Sequence, residues 1–219
     1  MFMLLLLFIL FLFSPYLLLP FAAFFIFLLL LLPFKFTFDS IFRLFTIPSQ
    51  IYKIATNPEL RKNHALEHAT ANVLDRNYGY QNLAGYADEG GFFIIGTQDS
   101  LMVEQAAREG LALLKAGEEE LAIHGKCGTS ITVANFISAL IFIILILSTG
   151  YFSLINMVLA ILIANLAGPL LGKYVQKYFT TSADVEEMEI VSTNFAGGNH
   201  WRAPAKIFVK TTRIPYLNR

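Results

Sequence analysis

The first 34 positions form an apolar run that predicts membrane insertion. Residues 1–34 carry no charged side chain and consist mostly of Leu and Phe, with prolines at positions 15, 20 and 33. A helix needs about 20 apolar residues to cross a bilayer. The run is longer than one span and shorter than two, so it predicts either one tilted transmembrane helix or a hairpin kinked at proline.

A second apolar run lies much later in the chain. Residues 128–172 are uncharged, and a polar segment at 148–153 interrupts them near the middle. This pattern predicts a transmembrane helical hairpin over residues 131–172, with spans at about 131–148 and 152–171 joined by a tight turn.

Basic residues flank the two apolar runs. Loops rich in Lys and Arg stay on the cytoplasmic side of a membrane, which predicts that residues 35–130 and 173–219 share that side and fold together. The basic residues are Lys35, Arg43, Lys53, Arg61 and Lys62 after the first run, Lys115 and Lys126 before the hairpin, and Lys173 and Lys177 after it.

Residues 35–57 are predicted to be a juxtamembrane amphipathic linker. Apolar side chains at positions 38, 41, 42 and 45 recur at helical spacing. A helix with such a stripe lies along the lipid headgroups or packs against a core, and the pattern favours neither alternative.

The segment after the linker begins with a strong helix signal. Asn57 can cap a helix, Pro58 suits its first position, and Glu59 places an acid in the first turn. The helix should run to about Asn77, with Gly79 beyond it as a C-terminal stop. Further along, residues 82–96 are typical of a β-hairpin, residues 99–116 of an amphipathic helix, and residues 185–191 and 206–212 of strands.

The predicted fold class is therefore membrane α+β. Its parts are an N-terminal membrane segment (1–34), the amphipathic linker (35–57), a cytoplasmic α+β domain (58–130), the transmembrane helical hairpin (131–172), and C-terminal strands that return to the cytoplasmic domain (173–219).

Composition supports a membrane protein and excludes some functions. Of the 219 residues, 56% are hydrophobic and only 15% are charged, and the formal net charge is +0. A neutral chain has no general attraction to nucleic acid, so no nucleic-acid partner is expected. The single cysteine excludes an internal disulfide.

His64, Glu67 and His68 form the pattern H-x-x-E-H in the middle of the first predicted helix of the α+β domain. Histidines four residues apart lie on one helix face and can bind one metal ion from the same side. Glu67 lies at the neighbouring edge, where it could act as the catalytic base that takes a proton from metal-bound water. The alternative is two solvated histidines with no metal.

A second group with metal-ligand spacing is His124-x-x-Cys127. Imidazole and thiolate together suit zinc. We therefore expect one shared site for zinc, or for another divalent transition metal, with ligands drawn from His64, His68, His124 and Cys127. His200, in a predicted loop, is a less favoured further ligand.

These motifs resemble those of the YqhQ-type bacterial membrane proteins. The shared features are H-x-x-E-H, the run His124-x-x-Cys127-Gly128-Thr129-Ser130 before a membrane hairpin, and the run from Gln176 to Thr181 after it. A set of domains of unknown function, associated mainly with cyanobacteria, is similar in its His-Ala-x-Glu-His-Ala-Thr run and in residues 82–85. The resemblance covers roughly residues 60–190. It implies a metal-dependent enzyme in a bacterial inner or thylakoid-type membrane.

Inverted zincin peptidases share H-x-x-E-H but also need a downstream glutamate ligand. Glu104 is a candidate for that position. Nothing in the spacing selects it, so no peptidase fold is inferred.

The same residues are compatible with more than one function. With three protein ligands the metal keeps an open position, and the protein is a zinc-dependent hydrolase at the cytoplasmic membrane face, acting on a peptide, a lipid or another amide or ester. With four ligands the metal is saturated, and the protein is a non-catalytic scaffold or assembly subunit of a larger membrane complex. A metal-free cluster that serves packing is a third interpretation. The expected partners are the lipid bilayer and other membrane proteins.

Overall fold

Helices dominate the structure, and a small antiparallel sheet completes it. The computed structural model describes residues 15–125, 127–151, 153–197 and 204–214, together with five positions before residue 15. The predicted mixed α+β class is confirmed. The helices are α1 (Pro15–Ala55), α2 (Pro58–Tyr78), α3 (Ser100–Lys115), α4 (Gly128–Thr149) and α5 (Leu154–Val175), and the strands are β1 (Ala84–Asp88), β2 (Gly91–Ile95), β3 (Met188–Gly197) and β4 (Lys206–Arg213).

Three helices are long and apolar enough to cross a membrane, in agreement with the two predicted apolar runs. They are α1 from Leu19 onwards, α4, and α5 together with the π-helical turn Gln176–Thr180 that follows it. Helices α4 and α5 form the predicted hairpin, which turns between Gly150 and Ser153.

Helix α1 is continuous from Pro15 to Ala55 and includes three internal prolines. The described part of the first segment is therefore a single helix and not a hairpin. The helix also continues past the predicted boundary at residue 34, so residues 35–55 are its last part and not a separate element. On this part Phe38, Phe42 and Phe45 are exposed, as lipid-facing side chains would be. Phe36 instead packs edge to face on Phe142 of α4, with ring centroids 4.8 Å apart.

Helix α2 has the predicted ends. The Asn57 side chain accepts the backbone N–H of Leu60 at 3.1 Å, and Pro58 is the first helical residue. Gly79 ends the helix with a φ of 71°, in the left-handed region that glycine adopts without steric cost. Local capping chemistry thus accounts for both ends of the helix that carries H-x-x-E-H.

The strands form one antiparallel sheet in the order β1-β2-β4-β3. Strand β4 comes from the end of the chain yet pairs with β2, which places Phe92 opposite Val209 and Ile94 opposite Ile207. These four side chains are fully buried in a core to which α2 and α3 also contribute. The segments before and after the hairpin of α4 and α5 therefore share one hydrophobic core.

Helices α4 and α5 approach closely where they meet this core. A Cβ atom at Gly172 would lie 2.6 Å from Ser130 Oγ and 2.7 Å from Ser130 Cα, which is too short for a real contact. Ser130 Oγ also accepts a hydrogen bond from Gln176 Nε2 at 2.7 Å. Because glycine has no side chain, position 172 lets the chain after α5 contact the first turn of α4.

We expect Gly172→Ala to destabilise the protein. The added methyl group must move α5 away from the backbone of Ser130, and overpacking of this kind costs about 1–3 kcal/mol. Gly128→Ala is the matched control, because a Cβ at Gly128 meets nothing within 4 Å. Thermal unfolding of the full chain in detergent measures the difference. Equal melting temperatures for the two variants would contradict the close packing.

Candidate metal centre

Helix α2 places the H-x-x-E-H residues on its buried side. His64 is 8% exposed, Glu67 is 5% exposed and His68 is fully buried. The two imidazole rings are neighbours, with centroids 4.4 Å apart. They are therefore not the solvated surface histidines of the alternative interpretation.

Cys127 meets these histidines from the start of α4. It is the capping residue of that helix, and its Sγ accepts the backbone N–H of Thr129 at 3.3 Å. Cys127 Sγ lies 3.4 Å from His64 Nε2. Ligand atoms of His64, His68 and Cys127 all lie within 4.8 Å of one another. Two ligands of one tetrahedral zinc ion are roughly 3.5 Å apart, given bond lengths of about 2.0–2.3 Å, so the group could hold a metal ion.

Backbone carbonyls orient both imidazoles. His64 Nδ1 lies 2.9 Å from the carbonyl oxygen of Thr180, and His68 Nδ1 lies 2.7 Å from that of Ala122. A carbonyl oxygen only accepts, so each Nδ1 carries the proton and each Nε2 presents a lone pair. This is the arrangement that second-sphere partners impose on metal-binding histidines.

One nitrogen of the group is buried without a hydrogen bond. His68 Nε2 has no hydrogen-bond partner in the described residues, although Glu67 Oε2 lies 3.5 Å away. Buried polar atoms in native proteins are nearly always paired. A metal ion bound between His68, His64 and Cys127 would supply the missing partner, so the donor set fits a transition metal.

Burial controls the charge of these groups. It lowers the pKa of His64 and, together with the charges of the neighbouring histidines, lowers that of His68 well below its usual value. Burial also raises the pKa of Glu67 to about 8 and raises the pKa of the Cys127 thiol. Neutral imidazole is the form that binds metal, and a bound cation would shift the carboxyl and thiol back toward their charged forms.

Glu67 lies between the three-residue group of His64, His68 and Cys127 and strand β1. Its Oε2 lies 3.9 Å from His64 Nε2, and its Oε1 faces the backbone of Gly85. A Cβ at Gly85 would collide with this carboxylate. The sequence segment 82–85 was recognised as part of a resemblance, but the need for glycine at position 85 becomes visible only with the carboxylate in place.

Gln176 begins one of the runs that carry the family resemblance, but the sequence did not predict its role at the site. Its side chain accepts the backbone N–H of His124 at 3.0 Å and donates to the His124 carbonyl at 3.2 Å and to Ser130 Oγ at 2.7 Å. It is fully buried and holds both ends of the loop that carries Cys127. A run of polar residues after an apolar helix gave no signal for this role.

The remaining candidate ligands lie farther away. The His124 ring is 5.9 Å from the His68 ring, between centroids, and lies outside the three-residue group, so its role as a ligand stays a prediction. Glu104 is paired with Arg108 at 2.8 Å on α3. His200 lies outside the described residues.

A cleft gives access to the group from outside the protein. It has a volume of about 410 Å³ and lies where the end of α1, the start of α4 and β1 meet. His64 and Cys127 form part of its wall, beside Lys53, Gly85 and Tyr86. The three-residue group therefore lies at the edge of the sheet domain, next to the ends of two of the long apolar helices.

This arrangement lies within a region that matches a protein family. Residues 59–193 match the family described as a domain of unknown function, DUF6391. The chain belongs to this family. The matched DUF6391 region includes His64, Glu67, His68 and Cys127.

A similar protein is known from a cyanobacterium. It is an uncharacterized protein of a Picosynechococcus species, 32% identical over 135 residues, which are 56% of this chain and 66% of that protein. The chain thus spans just under two thirds of this relative. No solved structure matches the chain.

We expect the purified full chain to bind one divalent transition metal ion through the three-residue group. His64→Ala, His68→Ala and Cys127→Ala should each lower the affinity for Zn²⁺ by more than about tenfold, because each removes a ligand. His124→Ala should have a smaller effect, since its ring is farther from the group. Elemental analysis and competition titration with a chelator measure this. Unchanged metal content in His64→Ala would contradict the site.

We also expect Gln176→Ala to weaken metal binding although Gln176 is not a ligand. Without its side chain the loop before Cys127 loses two hydrogen bonds at His124, and the first turn of α4 loses one at Ser130. Loss of such outer partners costs about 10–100-fold in metal affinity. Gln98→Ala is the matched control, because Gln98 is exposed and distant in sequence. The same chelator titration applies. Equal affinities of the two variants would show that the loop keeps its position without Gln176.

Proposed function

We propose that the protein is an integral membrane hydrolase that uses a divalent metal ion, with zinc the expected ion, at the cytoplasmic membrane face. The observation that carries the proposal is the convergence of three ligand atoms beside one carboxylate, with two of the three ligand residues, His64 and Cys127, in the wall of an open cleft. Structural zinc sites have four protein ligands and no open position, whereas catalytic sites have three protein ligands and leave one position for water or substrate. The three-residue group beside a cleft favours the catalytic type.

His64, His68 and Cys127 would hold the metal ion. Such an ion, when bound, polarises a carbonyl group and makes water more acidic. Glu67 would act as the general base: its Oε2 accepts a proton from the attacking water and then returns it to the leaving amine or alcohol. The distances from Oε2 to the two imidazole nitrogens, 3.5 and 3.9 Å, support a role for this carboxylate beside the proposed ion.

The surroundings of the cleft favour a substrate at the membrane surface. Its wall combines apolar Ile54, Leu60 and Tyr86 with the cation Lys53. A site next to the ends of α1 and α4 would meet peptide or lipid amides and esters close to the bilayer. The basic residues that flank the apolar runs support the cytoplasmic side. The proposal includes a relationship to the YqhQ-type membrane proteins, whose motifs this chain resembles.

A non-catalytic scaffold is the second candidate. It is supported by the position of the group, because an ion bound there would join α2 to α4, and by the nearby His124 ring as a source of a fourth ligand. In that case the ion would stabilise the junction between the sheet domain and the hairpin, and the protein would act through membrane partners.

Glu67→Gln separates the two candidates. We expect this variant to keep its metal and its melting temperature but to lose at least about 100-fold in hydrolytic rate, since general-base catalysis contributes about 10²–10⁴-fold. The assay is a panel of chromogenic esters, fluorogenic peptides and fluorescent phospholipids with the full chain in vesicles. Glu118→Gln, on an exposed glutamate, is the control. A metal-loaded wild type that hydrolyses nothing in the panel, or a fully active Glu67→Gln, would favour the scaffold.

A further inference from the structure

A second cavity lies between the three apolar helices. It has a volume of about 260 Å³ and shares no lining residue with the cleft at the metal centre. Polar side chains line it from every helix: Asp39 and Arg43 from α1, Asn135 and Ser138 from α4, and Asn165 from α5.

The cavity lies inside the hairpin and not at its ends. Asn135 is seven residues beyond the start of α4, about 10 Å along the helix axis, and Asn165 is ten residues before the end of α5, about 15 Å along it. No charged residue occurs in either helix up to position 172. If these helices cross a bilayer, whose hydrocarbon core is about 30 Å thick, the cavity is in the half of the bilayer nearer the sheet domain.

Four of the polar side chains at this cavity, those of Arg43, Asn135, Ser138 and Asn165, lack protein partners in the described residues. Ser138 is 6% exposed, and its Oγ has no hydrogen-bond partner in the described residues. Within the same described residues, the side chains of Arg43, Asn135 and Asn165 form no hydrogen bond or ion pair. Polar and charged groups inside a membrane are rare and are normally paired, because lipid chains form no hydrogen bonds with them. A polar occupant is therefore expected.

The charges indicate an anion. Asp39 already has a cation, since its carboxylate lies 3.5 Å from Lys35 Nζ. The Arg43 guanidinium is then the uncompensated charge, and the two amides and the Ser138 hydroxyl can add neutral hydrogen bonds. Guanidinium with several donors is the typical recognition set for phosphate oxygens.

We propose that the cavity between α1, α4 and α5 binds the phosphate headgroup of an anionic phospholipid, with Arg43 as its charged contact. Phosphate is the shared chemistry of a lipid headgroup and of free phosphate ion. The lipid fits the position better, because Phe36 and Ile161 give the cavity apolar walls and the outer surface of α5 exposes Leu162 and Leu166, along which acyl chains can lie. Basic pockets between membrane helices are known to take such headgroups. This site is independent of the proposed hydrolysis.

The first test uses the wild-type full chain, delipidated in detergent. Its thermal stability is measured during titration with phosphatidylglycerol, with phosphatidylcholine and with inorganic phosphate. We expect saturable stabilisation by phosphatidylglycerol, with at least about fivefold weaker apparent affinity for phosphatidylcholine, since the bidentate contact to Arg43 is tightest for a headgroup without its own cation. Stabilisation by inorganic phosphate alone, or equal affinities for the two lipids, would overturn the proposal.

Two variants localise the site. Arg43→Gln should weaken binding of phosphatidylglycerol by about tenfold or more, as expected for loss of a charge-assisted hydrogen bond, and Ser138→Ala should weaken it less. Lys173→Gln is the matched control, because it removes one positive charge from an exposed position at the end of α5, outside the cavity. Counting bound lipids by native mass spectrometry gives a second readout. Equal loss in Arg43→Gln and Lys173→Gln would mean general attraction to the membrane and would also overturn the proposal.

Discussion

The arrangement of this protein depends on the burial of polar side chains along one side of α2. An unpaired buried polar group costs on the order of 1–3 kcal/mol, so each of these residues needs a partner from another part of the chain. Lys62 Nζ pairs with Glu187 at 2.6 Å, and Asn63 donates to the carbonyl of Asp88 at 2.8 Å. The imidazoles of His64 and His68 are hydrogen-bonded to backbone carbonyls in the turns after α5 and before α4, respectively. The buried polar residues are Lys62, Asn63, His64, Glu67, His68 and Thr70.

Much of the site was predictable from local patterns, and the missing parts have a common physical cause. Helix caps and i, i+4 spacing act within a few residues, so the ends of α2 and the shared face of His64 and His68 followed from sequence. Metal-ligand spacing also singled out Cys127 before its distance to His64 was known. The carbonyls that orient the imidazoles could not be found in this way, because every residue has a carbonyl and only the fold selects one. The role of Gln176 was also not predictable, because its partners His124 and Ser130 are about 50 residues away in sequence and only the fold brings them together.

Composition predicted the three long apolar helices, but it did not predict the extent of α1. Proline usually signals a kink or a stop, since it removes one backbone donor and clashes with the preceding turn. Within a long apolar helix, neighbouring side chains can compensate. Here the Thr37 hydroxyl donates to the Pro33 carbonyl at 2.7 Å, and the helix continues. The stripe at Phe38 therefore belongs to a helix whose other face packs on the hairpin.

The bond between His64 and the Thr180 carbonyl has a consequence for biogenesis. These residues are 116 positions apart, and helices α4 and α5 lie between them. A ribosome must therefore release α4 and α5 before His64 can be oriented, and β4 must follow before the sheet is closed. Binding of a metal ion at the proposed site would therefore require that α4 and α5 are already synthesised, because a shorter nascent chain has His64 and His68 but not the carbonyl that orients His64.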